Sequence, residues 1–448
     1  MTMRRVLLLI GLSAVLLNTA VAKEFIPHLG MTFEQNDNID KETKDKAEED
    51  TVITPYFGFI YEDQGPHLDA SVDFEVRNER FSSNSANNQN LFSIDSFVDW
   101  VILPNRFVWA IEDVANTQRI SAFESASPDN LQNFNVFTTG PDYIFSSSSY
   151  EGLLKLRLGD VYYSDTGADN QRIIGSASAK RLINEYSSLG ISGAISLVDF
   201  EEVFQVDYDI GFLGVTYERD LPYGTFELSS GVNWVAHDNG TDESAPMGEL
   251  EFEYDGGGGG ANVLRLAAST KYSDPALDAY DPLYSRTYDV GAGDPMNANQ
   301  ISGDGVFSSD RIEAGYIRNG KRIRFNLLAY LNNRESLLNA SEADVEEKGF
   351  NVGLSYLLRD SLSLWVRYNA SDNDFKNNNS TVKGMFTSAG FDYSITQYLK
   401  LSVGASDGEE DSEAINPSLD IETDDQRDFS NTIVFLRLEY RGVPKEKE

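Results

Sequence analysis

The chain has 448 residues, a formal net charge of −36, 41% apolar and 12% aromatic residues, 35 glycines and no cysteine. This acid excess argues against nucleic acid as a partner, because phosphate binding needs clustered Lys and Arg. The absence of cysteine excludes disulfides, thiolate metal sites and a lipid-anchored lipoprotein.

The first element is an expected export signal over residues 1–22: Arg4 and Arg5, the apolar stretch Val6 to Leu17, then Ala20-Val21-Ala22 ahead of Lys23. No later stretch approaches the roughly 20 apolar residues that a membrane-crossing helix needs, so any insertion has to use strands. Strand signals follow at once. In His67 to Arg77, Leu68, Ala70, Val72, Phe74 and Val76 alternate with Asp69, Ser71, Asp73, Glu75 and Arg77. A helix would mix the two sets, whereas a strand puts them on opposite faces. The same period of two recurs in Phe226 to Trp234, in Leu250, Phe252 and Tyr254 against Glu249, Glu251 and Glu253, and in Ile323 to Leu331 against Arg322, Arg324 and Asn326. It returns in Phe350 to Tyr356, in Leu362 to Tyr368, and in the last strand, where Thr432, Val434, Leu436, Leu438 and Tyr440 alternate with Asn431, Ile433, Phe435, Arg437 and Glu439.

Connections alternate as regularly as the residues. Nine short turns, such as Asp220 to Tyr223 and Leu358 to Ser361, interleave with ten longer polar loops, of which Ser273 to Asp304 is the longest. The expected fold is therefore all-β: a single up-and-down antiparallel barrel of about 20 strands over residues 23–440, or 18 if one hairpin is lost. Short turns would be periplasmic, long loops external, and an even strand count puts both termini in the periplasm. A charged tail, 441–448, follows Tyr440. Tyrosines near strand ends, including Tyr56, Tyr61, Tyr143, Tyr150, Tyr162, Tyr163, Tyr398 and Tyr440, are candidates for interfacial girdles.

Residues alternating with a lipid-facing row must look inward. Asp69, Asp73, Glu75, Asp95 and Asp99 are expected to form one acidic wall of the lumen and Glu249, Glu251 and Glu253 a second. Lys155, Arg157, Arg265, Lys271, Arg322, Arg324 and Arg367 supply basic positions on other strands. Opposed signs across a pore set up a transverse field that orients charged solutes. Tyr280, Tyr284 and Tyr288 mark the longest loop as a candidate constriction. Catalytic signatures are missing: His28, His67 and His237 lie in no zinc-protease spacing and beside no nucleophile turn. Neither a catalytic nor a metal site is expected, and no cofactor. The run Gly256 to Gly260 lacks the Lys-Ser/Thr of a phosphate loop and reads as a hairpin turn. The acids between Asp407 and Asp425 read as a solvated external loop rather than a calcium site bridging to lipopolysaccharide, because they lack calcium-loop spacing.

Three segments carry a family resemblance: Glu34-Gln-Asn36-Asp-Asn38, the run from Asp99-Trp-Val-Ile-Leu-Pro104 through Trp109 to Asp113, and Asn135-Val-Phe-Thr-Thr-Gly140-Pro141-Asp142-Tyr143. They resemble the outer-membrane β-barrel porins found with exopolysaccharide and exosortase (PEP-CTERM-type) systems. The resemblance implies an outer-membrane channel taking part in polysaccharide export, with lipopolysaccharide, the barrel-insertion machinery and a periplasmic export component as partners. It carries over no catalytic or binding residue. A general solute porin, and a non-conducting barrel that anchors a surface or biofilm assembly, share every barrel feature. Many outer-membrane barrels end on an aromatic residue read by the insertion machinery, whereas here Arg441 to Glu448 follow Tyr440.

Overall fold

Strand follows strand from Glu24 to Arg441: β1 Glu24–Asn36, β2 Asp50–Gln64, β3 Leu68–Phe81, β4 Gln89–Leu103, β5 Phe107–Arg119, β6 Leu131–Ser146, β7 Tyr150–Tyr163, β8 Asn170–Asn184, β9 Ser187–Phe200 and β10 Tyr208–Leu221. The second half continues as β11 Gly224–His237, β12 Asp242–Asp255, β13 Asn262–Ser273, β14 Phe307–Asn319, β15 Ile323–Ser336, β16 Val345–Arg359, β17 Leu362–Phe375, β18 Ser380–Ser394, β19 Leu399–Ala414 and β20 Phe429–Arg441. A short helix, α1 Pro275–Tyr280, follows β13, and a single 3-10 turn, Pro128–Asn130, precedes β6. This computed structural model describes residues 24–442 except 42, 44, 84–85, 121–126, 166–167, 203–204, 241, 257–260, 281–304, 338–343, 377–379 and 415–427. The expected export signal, the tail beyond 442 and most of the glycine run therefore lie outside the described residues.

Each strand pairs antiparallel with its neighbours in sequence, and β1 closes the ring on β20 in register from His28↔Arg441 to Asn36↔Ile433. Closure removes every sheet edge, and with it the exposed backbone donors and acceptors that hydrocarbon cannot satisfy. With strands about 4.8 Å apart and tilted by about 40°, a ring of this size is roughly 40 Å across its backbone. Side chains cannot fill such a width.

Register carries the two faces round the ring, because directly paired residues point the same way. On β9 the outward row is Leu189, Ile191, Ile195 and Leu197, all exposed, and the next outward residue is Asp199. From Leu189 to Leu197 the chain rises roughly 20 Å at ~3.3 Å per residue and ~40° of tilt, close to the ~25 Å apolar band of outer-membrane barrels. Asp209, Asp310, Lys348, Asp372 and Asp407 take the corresponding place above the apolar outward residues of their own strands. At the short-turn end the outward row closes on Tyr143, Tyr150, Tyr254, Tyr393, Tyr398 and Tyr440, each more than a third exposed, and Tyr398 stacks on Tyr440 at 6.2 Å. These form a girdle. Tyr56 and Tyr163 do not belong to it: both share the inward row and are 5% exposed.

The apolar band makes a stability prediction. Leu213, 58% exposed on the outward row of β10, should tolerate arginine poorly: Leu213→Arg is expected to cost about 2–4 kcal/mol, read by urea unfolding in lipid vesicles. The same change at lumen-facing Ser192, which pairs with Gly214, should be close to neutral.

One loop expectation needs revision. Asp407, Glu409, Glu410, Asp411 and Glu413 are not in a loop, because β19 continues through them to Ala414, with Lys383↔Asp411 and Thr381↔Glu413 paired across β18. Pairing to an ordered neighbour overrides the poor strand propensity of these acids. Residues 415–427 are outside the described residues. In the turn Pro104-Asn105-Arg106, Asn105 takes a positive φ of 58°, a conformation asparagine reaches more readily than most residues.

Candidate functional site

The polar surface that this fold encloses is its inner wall. Asp69, Asp73, Glu75, Asp95 and Asp99 all face it, since β1, β2, β3 and β4 are in register through His28↔Gly58, Gly58↔Glu75, Asp73↔Asp95 and Asp69↔Asp99. Two of these pairings set carboxylates directly opposite one another, an arrangement that destabilises a sheet. Among the described residues no basic side chain lies within ion-pair distance of Asp69, Asp73, Asp95 or Asp99. Glu75 differs, with His28 Nε2 at 3.3 Å and Arg77 Nε at 3.4 Å. Phe97, between Asp95 and Asp99 on the same inward row, is 44% exposed to the lumen.

The second acidic row, Glu249, Glu251 and Glu253 on β12, also faces inward, and Glu227 on β11 pairs opposite Glu251. Here a base is supplied locally: Arg265 Nη2 on β13 lies 3.0 Å from Glu251. Lys271 shares Arg265's face farther up the strand.

Lys155 and Arg157 on β7 revise the expectation of opposed walls. Register sets them beside Asp142 of β6, and Glu112 of β5 is next in line. Arg157 makes a bidentate pair with Asp142 and lies 3.4 Å from Glu112; Lys155 is 3.9 Å from Asp142. These bases are satisfied along the wall rather than aimed across the pore. Arg322 is also displaced from its expected role, being an exposed residue of the turn before β15 rather than part of the strand wall. Arg324 and Arg367 do face inward, on β15 and β17. In a ring of twenty, those strands lie six to nine strands away from β3 and β4, so unpaired positive charge and unpaired negative charge occupy different sectors of the lumen.

The longest connection starts inside the barrel. Asp274, fully buried, accepts two hydrogen bonds from Arg172 Nη1 of β8, at 2.7 and 2.9 Å, and one from the Tyr208 hydroxyl of β10 at 3.1 Å. It also accepts from the backbone N–H of Ala276 and Leu277. Asp274 thus N-caps α1, with Pro275 in the first turn where its missing N–H costs nothing. Ala276 packs among Phe134, Val136, Val161 and Tyr163, while Leu277 and Val306 pack with Val198, Phe200, Tyr208 and Val235. All of these wall residues are on the inward row, so both described ends of the loop lie against the inner face at the long-loop end of the barrel. The sequence marked this loop, but not its anchor. Tyr280 closes α1; Tyr284 and Tyr288 lie outside the described residues.

Beside the acids, the inward row carries aromatic residues that were not among the lumen residues expected from the sequence, among them Trp365, Phe386 and Phe435. Trp365 and Phe435 are nearly parallel, 6.1 Å apart and 16° inclined. They would have been found by extending the period-two row through Trp365 and Arg367. Among the described residues no group of three or more His, Asp or Glu side chains is arranged to hold a metal ion.

The protein is an outer-membrane β-barrel. No family model matches the chain, and no curated protein matches it. Solved structures similar to it include the ferric enterobactin receptor PfeA of Pseudomonas aeruginosa (11% identity, 94% of this chain and 81% of that chain, TM-score 0.44). The FrpB iron transporter of Neisseria meningitidis (10%, 94% and 82%, TM-score 0.46) and the outer-membrane protein OpdK of P. aeruginosa (10%, 94% and 100%, TM-score 0.40) are similar to it as well. Likeness at this level transfers no cargo and no mechanism.

Proposed function

We propose that the protein is a passive, water-filled outer-membrane channel with a cation-attracting lumen, and that its cargo is a polysaccharide crossing the outer membrane. The observation that carries the channel is the inner wall. A closed ring too wide for side chains to fill keeps Asp69, Asp73, Asp95 and Asp99 unpaired on it, two by two across β3 and β4. Facing carboxylates weaken a folded sheet, and water with mobile cations relieves that repulsion. A lumen packed with salt-bridged side chains would have neutralised them, as the wall does at Arg157 and Arg265. The polysaccharide half of the reading is supported by the sequence resemblance alone.

Planar-bilayer recording tests both halves. Stable single-channel currents with a cation-selective reversal potential are expected, reduced by added oligosaccharide. Silent membranes would leave only an anchoring barrel, and currents indifferent to oligosaccharides would leave a general solute porin.

A further inference from the structure

We infer that the inner wall over β15 to β20 is a binding surface for an acidic saccharide, one whose sugar rings carry carboxylate groups. One line of directly paired residues crosses it: Arg324 on β15, Ser355 on β16, Trp365 on β17, Gly390 on β18, Gly404 on β19 and Phe435 on β20. Gly390 and Gly404 let the two rings lie down on the sheet. A Cβ on Gly404 would meet the Phe435 ring at 2.7 Å, and one on Gly390 the Trp365 ring at 2.5 Å. The rings, near-parallel and only partly buried, therefore lie over the backbone rather than standing into the lumen. A ring held in this way offers a face on which the C–H side of a pyranose can stack.

Charge defines which sugar. Arg367 lies with its guanidinium 5.1 Å from the Trp365 ring centre. Neither Arg324 nor Arg367 has a carboxylate within ion-pair distance among the described residues, in a chain with twice as many acids as bases. The amide oxygen of Asn369, two inward positions along β17 from Trp365, is buried without a hydrogen-bond partner. Two forked donors beside a stacking platform match a ring that carries a carboxylate, which guanidinium binds through two parallel hydrogen bonds. The aspartates of β3 and β4 do not oppose this, because at least six strand-to-strand steps, each of about 4.8 Å, separate them from Arg367 and Arg324, well beyond the ~8 Å screening length of physiological salt. The inference rests on the channel reading only for access of the saccharide to the lumen.

Of the four tryptophans, Trp100, Trp109 and Trp234 lie on the outward row and Trp365 alone faces the lumen, so intrinsic fluorescence of the full-length protein in micelles reports on this wall. Oligogalacturonate is expected to shift the emission saturably, with maltooligosaccharides and inorganic phosphate at least about tenfold weaker. Trp365→Phe should abolish the response, and Arg367→Gln should weaken binding by about tenfold while leaving the heat-resistant folded form intact; Arg324→Gln serves if Arg367→Gln does not fold. An equal response to phosphate would reduce the wall to an anion site. An equal response to neutral sugar would remove the role of the arginines, and no response would overturn the inference outright. Parallel conductance keeps the readings apart: currents without a fluorescence response sink this inference alone, and a response without currents sinks the channel alone.

Discussion

Changing Asp69, Asp73, Asp95 and Asp99 together to asparagine is expected to lower the preference of the pore for potassium over chloride by about fivefold or more. The direction follows from the wall: four carboxylates without bases raise the local concentration of cations, and their amides do not. Stability should move the other way. Relieving the facing pairs Asp73↔Asp95 and Asp69↔Asp99 is expected to stabilise the barrel by about 0.2–1 kcal/mol per pair. A reversal potential under a salt gradient reads the first effect, and a urea titration the second. Replacing Glu251 by glutamine should change selectivity less, because its charge is already opposed by Arg265 at 3.0 Å. If the quadruple variant keeps the original reversal potential, ions do not pass along this wall.

Breaking the Arg172–Asp274 pair is expected to release the root of the longest loop from the inner face and to raise both mean current and current noise. The pair is fully buried, and removal of one partner leaves the other as an uncompensated charge, a loss of about 3–5 kcal/mol. Asp274→Ala also removes the cap of α1 and the acceptor for Tyr208. The cost should therefore appear first as protease cleavage near Pro275–Tyr280 in folded protein, with the barrel still resistant to heat in detergent. Arg172→Ala should do the same. The double variant should be no worse than the worse single one, because the two side chains act as one unit. Unchanged currents in all three variants would show that the loop root does not narrow the conducting path.

The contrast between Arg157 and Arg367 shows how much of the inner wall can be read along the chain. Both alternate with apolar residues, and that alternation assigns each to the lumen. Nothing along the chain distinguishes the arginine that ends against Asp142 from the one that ends over Trp365 with no acid nearby. Tyr56 and Tyr163 mislead for a related reason: aromatic residues near strand ends occur on both faces, and only register shows that these two face inward.

The sequence by itself determined the wall: strands from the period of two, their number from alternating short and long connections, and an enclosed polar face from acids placed between apolar residues. These are local properties, set by a backbone that turns successive side chains to opposite sides. Tertiary structure decided which charges are neutralised, where α1 docks and which rings lie beside the free arginines. Those outcomes depend on the register of each strand against the next and on closure of β20 against β1. They bring together residues such as Arg172 and Asp274, 102 positions apart in the chain, whose meeting no local pattern records.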